Sequence, residues 1–505
     1  MLPVLLAEDV KRQDASAAQN GVSVEQLMEN AGWAVARGAR KLLGGSYGRR
    51  VVVVCGKGNN AGDGLVAGRV LVAQGAHVTA VLTSDRHSEL TELNLQRFPG
   101  RIVHLDQLPR ELARADLVID AVFGVGLTRA PEGSAAAAIE ACAASLVPIL
   151  AVDVPSGVDA DTGAVPGAVV DARATVTFSG YKPGLLFAPG AEHAGTVEVA
   201  DIGVSDPLTR VAALEKADIA VWLPRRARAS NKRKAGTVLV VAGSRAMPGA
   251  AALVTGACVQ VGAGLTTLCA PEDVCRVVLT QVPEITTIPI PENSEGILDS
   301  KALDLISPRL ADFTAVVIGP GLGRHPATVD AVRALVELVT QPVVIDADGL
   351  NAFADATELL RARAEKNRPT VITPHAGELA RLLGRPAADL DADRLKAARD
   401  AHRELGAIVV FKGPGTVIAG SSEIWINTTG GPALAQGGTG DVLAGMTGGL
   451  LAQKRGDVTA RDVAAVVWLH GAAADRISGR VAPHPANATA LIAELADTIH
   501  EVASD

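Results

Sequence analysis

Short Val-rich runs recur along the chain, each followed by a Gly-, Asn- or Asp-rich turn and then by an Ala-rich stretch with helical spacing. Runs that are apolar on both faces are how strands read when they lie inside a parallel sheet. After an amphipathic helical start, Val51–Cys55 is predicted as a strand and 56–64 as a turn. A helix follows from about Asp63 to Gln74, stopped by Gly75. Further strands are predicted near Val78–Leu82, Leu117–Val122 and Ile149–Val152, with a Pro/Gly-rich stretch of shorter strands running to about Ile202. Residues from roughly 205 to 235 shift in composition as a linker would. A second α/β series starts at Thr237–Ala242 and continues near Ala315–Ile318, Val343–Ile345, Thr370–Ile372 and Ile408–Phe411. A hairpin then follows at Val417–Ala419 and Glu423–Ile426. Neither half repeats at a short tandem period, so a solenoid is excluded. Two α/β domains are predicted, spanning residues 1–212 and 225–505.

Composition sharpens this picture. In 505 residues, 48% hydrophobic content excludes global disorder, and only 3% aromatic content means the cores are built from Val, Leu, Ile and Ala. A formal net charge of −8 argues against nonspecific polyanion binding, so no nucleic-acid partner is expected. The one basic cluster, Arg225, Arg226, Arg228, Lys232, Arg233 and Lys234, reads either as a solvated inter-domain segment or as support for a phosphate. Five scattered cysteines without CxxC spacing suggest reduced thiols and no structural zinc. The start of the chain, from Met1 to Asp14, does not read as a signal peptide, and no apolar window is long enough for a membrane span. A cytoplasmic location is expected.

Polar residues in the first half cluster directly after predicted strands. Asn59, Asn60, Ala61, Gly62 and Asp63 follow the first strand, Asp120 ends another, and Asp153 ends a third before Pro155-Ser156-Gly157. Strand C-termini of an open parallel sheet share one edge, so these segments should converge on a ligand crevice. The Gly56–Ala61 segment matches GxGxxA, but an acidic residue at the dinucleotide-binding distance is missing, Asp85 lying too far along. Asn60, Asp120 and Ser156 form an oxygen-only set suited to a hard cation; their bland readings are a turn cap, a helix cap and a loop serine. Asp153 is the acid/base candidate.

In the second half, Gly437-Gly438-Thr439-Gly440-Asp441 precedes an apolar helix predicted over Val442–Leu451. Amides opening a helix bind anions. An aspartate there repels phosphate, but it serves as a base that deprotonates a hydroxyl during phosphoryl transfer. Standing alone it would equally be an N-cap. Lys412, Gly413, Pro414, Gly415 and Thr416 offer cation, backbone and hydroxyl contacts to a nucleotide. Gly319–Gly323, Asp346–Gly349 and Thr373–Glu378, with His375, end further strands.

The motifs GKGNNAGDG, IDAVFGVGLTR and AVDVPSGVDADTG, over about residues 5 to 205, resemble the NAD(P)H-hydrate epimerase family. GPGLG, DADGL, TPHAGE, KGPGT and GGTGDVLAG, over about residues 225 to 500, resemble the ribokinase-like superfamily and, within it, the ADP- or ATP-dependent NAD(P)H-hydrate dehydratases. The resemblance implies an N-terminal Rossmann-like three-layer αβα sandwich and a C-terminal ribokinase-like α/β domain. It implies that Asn59 to Asp63, the Gly124-Val125-Gly126-Leu127-Thr128-Arg129-Ala130 loop and Asp153 hold the hydrated cofactor, with Asp153 moving protons. Asn60, Asp120 and Ser156 would hold potassium. Lys412 to Thr416 and Gly440 would bind ADP, with ATP as a possible substitute and Mg2+ as counter-ion, while Gly321, His375 and Asp441 would contact the hydrate. Ala61 stands where that family usually has glycine; Gly431, Ala433, Leu434 and Gln436 stand for Asn, Gly, Met and Thr.

The implied chemistry is repair of NADH and NADPH hydrated at C6. The first half would interconvert the R and S hydrates. The second would consume ADP to dehydrate the S form, leaving AMP and phosphate. Hydrated cofactors and ADP are the expected partners, in a homo-oligomer with no membrane contact. Two rivals remain at this point: a small-molecule kinase carrying an N-terminal nucleotide-binding module, and a non-enzymatic sensing role for that module.

Overall fold

A computed structural model of the protein describes residues 1–204, 209–226, 228–291, 296–454, 456–480 and 486–504. The chain divides into two compact units, Leu2–Val211 and Ala212–Asp505 with Met1.

The first unit is built on a seven-stranded parallel sheet. In spatial order its strands are Arg101–His104, His77–Leu82, Arg50–Cys55, Leu117–Ala121, Ile149–Val152, Ala174–Phe178 and Thr196–Ala200. Alternate residues of one strand face opposite ways. Val51 and Val53 pack with helices Val24–Leu43 and Asn59–Ala73, while Val52 and Val54 pack with Leu108, Leu112 and Ile139 on the other face. Helices on both faces make the αβα sandwich that the family resemblance implied. Chain order reverses between Arg50–Cys55 and Leu117–Ala121, which is where an open parallel sheet leaves its crevice.

The second unit has a larger sheet. Parallel strands run in the order Ile408–Phe411, Thr370–Ile372, Val343–Ile345, Ala315–Ile318, Thr237–Val241, Leu265–Pro271 and Thr286–Ile290. The antiparallel hairpin Val417–Ala419 and Ile424–Ile426 extends the sheet beside Ile408–Phe411. Helices Pro248–Gln260, Thr439–Gln453 and Ala488–Ala503 cover one face. Leu335, Leu360 and Leu395 are buried on three further helices, Pro326–Leu338, Thr357–Glu365 and Arg394–Leu405.

Several boundaries differ from the sequence reading. The segment 56–64 is not a single turn, because the helix already starts at Asn59, with Gly58 extended before it and the Ala61 amide donating to the Gly58 carbonyl at 3.1 Å. Segment 205–235, expected as a linker, holds strand Val211–Ala213 and helix Lys216–Trp222; Leu214, Ile219 and Leu223 enter the second core. Residues 205–208 and 227 of that segment lie outside the described residues. Strands Arg101–His104, Leu265–Pro271 and Thr286–Ile290 were not assigned from sequence. The first buries one residue of four, and the other two carry threonines rather than continuous apolar runs. All five cysteines are free and buried. No described helix is long and apolar enough to cross a membrane.

Candidate active sites

Three strand ends meet at the reversal point of the first sheet. Asn60 Nδ2 donates to the Phe123 carbonyl at 3.0 Å. A side chain added at Gly124 would place its Cβ 3.0 Å from Asn60 Oδ1 and 3.5 Å from Asp153 Oδ2, so these three residues form one wall. Glycine keeps that corner open. Asp153 has φ +68°, a left-handed conformation that a non-glycine residue adopts at a cost of ~1–3 kcal/mol, and such strain gathers at functional sites. The left-handed residue is therefore the aspartate; Asn59 and Asn60, which could have adopted that conformation in a loop, are helical.

Asp153 does not stand alone. Lys182 Nζ donates to its Oδ1 at 2.6 Å, and the Thr177 hydroxyl donates to the same oxygen at 3.0 Å. The Lys182 ammonium, 1% exposed, also donates to Thr177 Oγ1 at 3.0 Å and to the Phe178 carbonyl at 2.9 Å. Oδ1 is thus saturated, while Oδ2 faces the Gly124 side. Burial first, and then the Asp153 and Asp14 charges, push the Asp63 carboxyl well above the carboxylate range; Lys182 opposes this. Asp14 is raised for the same reasons, burial and Asp153.

Asp120 is 1% exposed and accepts from the Ser156 amide at 2.8 Å and the Ser156 hydroxyl at 2.6 Å. Phe123 N donates to Ser156 Oγ at 2.8 Å. Asn60, Phe123, Asp120 and Ser156 are thereby one connected oxygen-rich cluster. Burial raises Asp120 to about 6 in spite of the Ser156 and Val122 donors, and no ammonium or guanidinium is found against it among the described residues. A buried carboxylate in that position is electrostatically suited to a monovalent cation.

Beside this cluster, Gly126, Leu127, Thr128, Arg129 and Ala130 line a cleft of about 580 Å³ together with Gly56, Lys57 and Phe123. That volume falls in the range of small-molecule sites. The Ala61 methyl is fully buried in the core with Leu65 and Val53, so this residue can meet a ligand only through its backbone. Val125, partly buried, packs with Val154 and Val158.

The second crevice is arranged around Lys412. Its ammonium donates to Asp346 Oδ1 at 2.9 Å and lies 3.9 Å from Glu378 Oε2. Lys412 is therefore an ion-paired cation in this crevice. Burial lowers its basicity, yet Asp346, Glu378 and Asp441 outweigh that and raise it. Gly440 would place a Cβ 3.4 Å from Lys412 Nζ, which brings the helix start onto the same group. Burial, then Asp346, raise Asp441 to about 7, with Lys412 pulling the other way and Asp348 adding to the rise. Asp441 lies in the first turn of Thr439–Gln453, and Gly438 is the left-handed cap residue; no side chain caps that end. The capping alternative for Asp441 is thereby excluded.

Around these groups the backbone is tightly set. Gly319 has φ +132°, and a Cβ there would lie 1.9 Å from the Asp346 carbonyl oxygen. Ala347 is left-handed at φ +50°. Asp348 Oδ2 accepts from Gly323 N at 2.9 Å, joining GPGLG to DADG. Gly321 packs against Met247 and Ala250. His375 is a helix cap: its Nδ1 accepts from Gly377 N at 3.0 Å and Glu378 N at 3.3 Å, while its Nε2 lies 3.5 Å from Glu378 Oε1. His470 is buried, its Nε2 donating to the Thr439 carbonyl at 3.0 Å, and burial lowers its pKa to about 4, so it is neutral. The Thr439 hydroxyl donates to the Leu434 and Gln436 carbonyls, both at 2.9 Å, which anchors the segment that departs from the family pattern.

Lys182, Thr177, Asp14, Asp346 and Glu378 were missed as functional candidates. The first three carry no motif that points to them; Asp346 and Glu378 were visible within DADG and HAGE, without a stated role. The basic cluster does not reach this site. Arg225, Arg226 and Lys234 line a separate cleft of about 600 Å³ with Lys454, beyond the C-terminal end of the helix that Asp441 opens.

Comparison with known proteins agrees across the chain. A family model described as NAD(P)H-hydrate dehydratase matches residues 238–497, and one described as YjeF-related protein N-terminus matches residues 24–184. The bifunctional NAD(P)H-hydrate repair enzyme of Moorella thermoacetica is 41% identical, covering 89% of this chain and 87% of its own. That of Escherichia coli K12 is 33% identical, covering 99% and 95%. A ribokinase-like superfamily protein from Enterococcus faecalis V583 superposes with a TM-score of 0.50 at 25% identity, over 60% of this chain and 99% of that one.

Proposed function

We propose residue roles for a chain that belongs to the bifunctional NAD(P)H-hydrate repair enzymes. It is an epimerase in its N-terminal half and an ADP- or ATP-dependent dehydratase in its C-terminal half. The kinase alternative rests on fold alone and leaves the first unit without a task.

In the first site, the hydrated nicotinamide lies against Gly124 and Asp153, with the rest of the cofactor along Asn59 to Asp63 and the Gly124–Ala130 loop. The C6 hydroxyl leaves as water after taking a proton, the ring nitrogen lone pair forming the C6=N bond. Water then adds to the opposite face and gives up a proton. Asp153, with Oδ1 held by Lys182 and Thr177, receives or returns that proton through Oδ2. Asp63, raised first by burial, is suited to carry the other one. The Asn60, Asp120, Ser156 and Phe123 oxygens fit potassium, which would supply fixed positive charge beside the loop.

In the second site, Asp441 takes the C6 hydroxyl proton and the oxygen attacks the β-phosphorus of ADP, releasing AMP. Phosphate then leaves C6 with that oxygen, the ring nitrogen assists, and loss of a C5 proton restores NADH or NADPH. Hydroxide leaves poorly and phosphate leaves well, which is why a nucleotide is spent. Lys412 to Thr416 and Gly440 hold the nucleotide. Asp346, Glu378 and Asp441 surround one lysine, so a polyphosphate needs an accompanying cation there. Mg2+ fits, since it arrives on phosphates and needs few protein ligands.

The raised proton affinity of Asp441 at the amide-rich helix start is the observation that carries this reading, because a base works best when its pKa lies near the working pH. The test is recovery of near-ultraviolet absorbance from mixed hydrate epimers with ADP or ATP. A stable phosphorylated product, with no NADH regenerated, would establish a kinase instead. A cytoplasmic, homo-oligomeric enzyme completes the proposal; size-exclusion chromatography with light scattering and cell fractionation test those two points.

A further inference from the structure

Arg394 is a buried cation in an unfavourable place. It is the first residue of helix Arg394–Leu405, where the helix dipole repels positive charge, yet it is only 7% exposed. Its Nη2 donates to the Phe411 carbonyl at 2.9 Å and the Lys412 carbonyl at 3.1 Å. Its guanidinium carbon lies 4.0 Å from the centre of the Phe411 ring, and Nε, buried and without a hydrogen-bond partner, belongs to that stacked plane. Asp391 Oδ1 accepts from Nη1 at 2.5 Å. A Cβ at Gly413 would lie 2.7 Å from Nη2, and Gly413 has φ +148°, so the guanidinium fills the space that a side chain would take.

From this geometry we infer that Arg394 is the positioning residue of the nucleotide loop, holding Lys412–Thr416 from beneath so that its amides face the ADP phosphates. In a trans peptide the C=O and N–H point in opposite directions. Drawing the Lys412 carbonyl onto Arg394 therefore turns the Gly413 N–H away from it, to the open side of the loop. Lysine cannot do this: it lacks the planar fork whose Nη2 reaches both carbonyls and whose Nη1 holds Asp391 while the plane stacks on the ring. Arg394 acts through the loop and touches no reacting atom. The inference rests on the reading of Lys412–Thr416 as the nucleotide loop, and it adds what sets that loop's conformation.

The test uses the full chain carrying Arg394→Lys, with Arg394→Gln as a second variant that removes the charge together with the fork. The expected result is a KM for ADP raised at least tenfold, kcat and the KM for the hydrate each within about threefold of the unaltered enzyme, and a lost ADP-induced rise in melting temperature. The epimerase activity of the same chain, unchanged, reports that the protein is folded. An unaltered KM for ADP in both variants would overturn the inference. So would a fall in kcat with the two KM values unchanged, because that would place Arg394 in the chemistry. Failure of the unaltered enzyme to use ADP or ATP would overturn the nucleotide-loop reading itself, and is seen before any variant is made.

Discussion

Lys182 Nζ lies 2.6 Å from Asp153 Oδ1, and both groups are buried beneath the crevice of the first unit. Removing one partner of a buried ion pair strands the other, at a cost of ~3–5 kcal/mol. Lys182→Met is expected to lower epimerase activity by at least two orders of magnitude and to depress the stability of the first unit, while dehydratase activity on the S hydrate persists. Separate assays on resolved hydrate epimers, together with denaturant unfolding, check this; an active epimerase in Lys182→Met would remove Asp153 from proton transfer.

Asp441 connects activity with pH. Its pKa is raised to about 7, so the basic form that accepts the hydroxyl proton is depleted as pH falls below about 7. The kcat of the dehydratase is expected to drop about tenfold for each pH unit below that point, and Asp441→Asn should abolish it with epimerase activity intact. The stability effect runs the other way. A carboxyl raised on folding releases its proton more readily when unfolded, so folding loses stability as pH rises from about 4 to 7. Asp441→Asn should therefore melt higher than the unaltered enzyme at pH 8 and match it near pH 4. Equal melting temperatures at pH 8 would contradict the buried, acid-flanked environment.

Potassium should be visible without any turnover. With Asp120 buried and raised to about 6, a bound monovalent cation would stabilise the first unit, and the effect should fade as Asp120 protonates below about pH 6. Thermal melts in KCl against N-methylglucamine chloride should separate at pH 8 and converge at pH 5. In Asp120→Asn the separation should vanish at both. A separation that survives this substitution would place the cation elsewhere.

Ala61 offers a sharper check on the substrate loop. Its methyl is in the core, so Ala61→Gly should leave the epimerase KM within about twofold and lower stability by about 1 kcal/mol, the helix penalty of glycine. A KM that shifts by tenfold would mean that the backbone at this position does approach the ligand.

The two parallel sheets and the crevices at their strand ends were legible along the chain, since Val51–Cys55, Ile149–Val152 and Ala315–Ile318 each pair an apolar run with an adjoining polar turn. A strand and the turn that follows it are neighbours in sequence, so a motif reports its own position on the sheet edge. Asn60, Asp120 and Ser156 could be grouped for the same reason, and the structure joins them by hydrogen bonds through Phe123.

What each charged group does could not be read in this way. Lys182 reaches Asp153 across 29 residues and Lys412 reaches Asp346 across 66, from loops that carry no pattern naming the partner. Burial, which raises Asp441 and makes an ion-paired group of Lys412, depends on every element packed around the crevice. The sequence determined where the chemistry sits, because strand ends are local; only the tertiary structure decided which carboxylate is paired and which is left to take a proton, because charge interactions depend on distance and burial rather than on order along the chain.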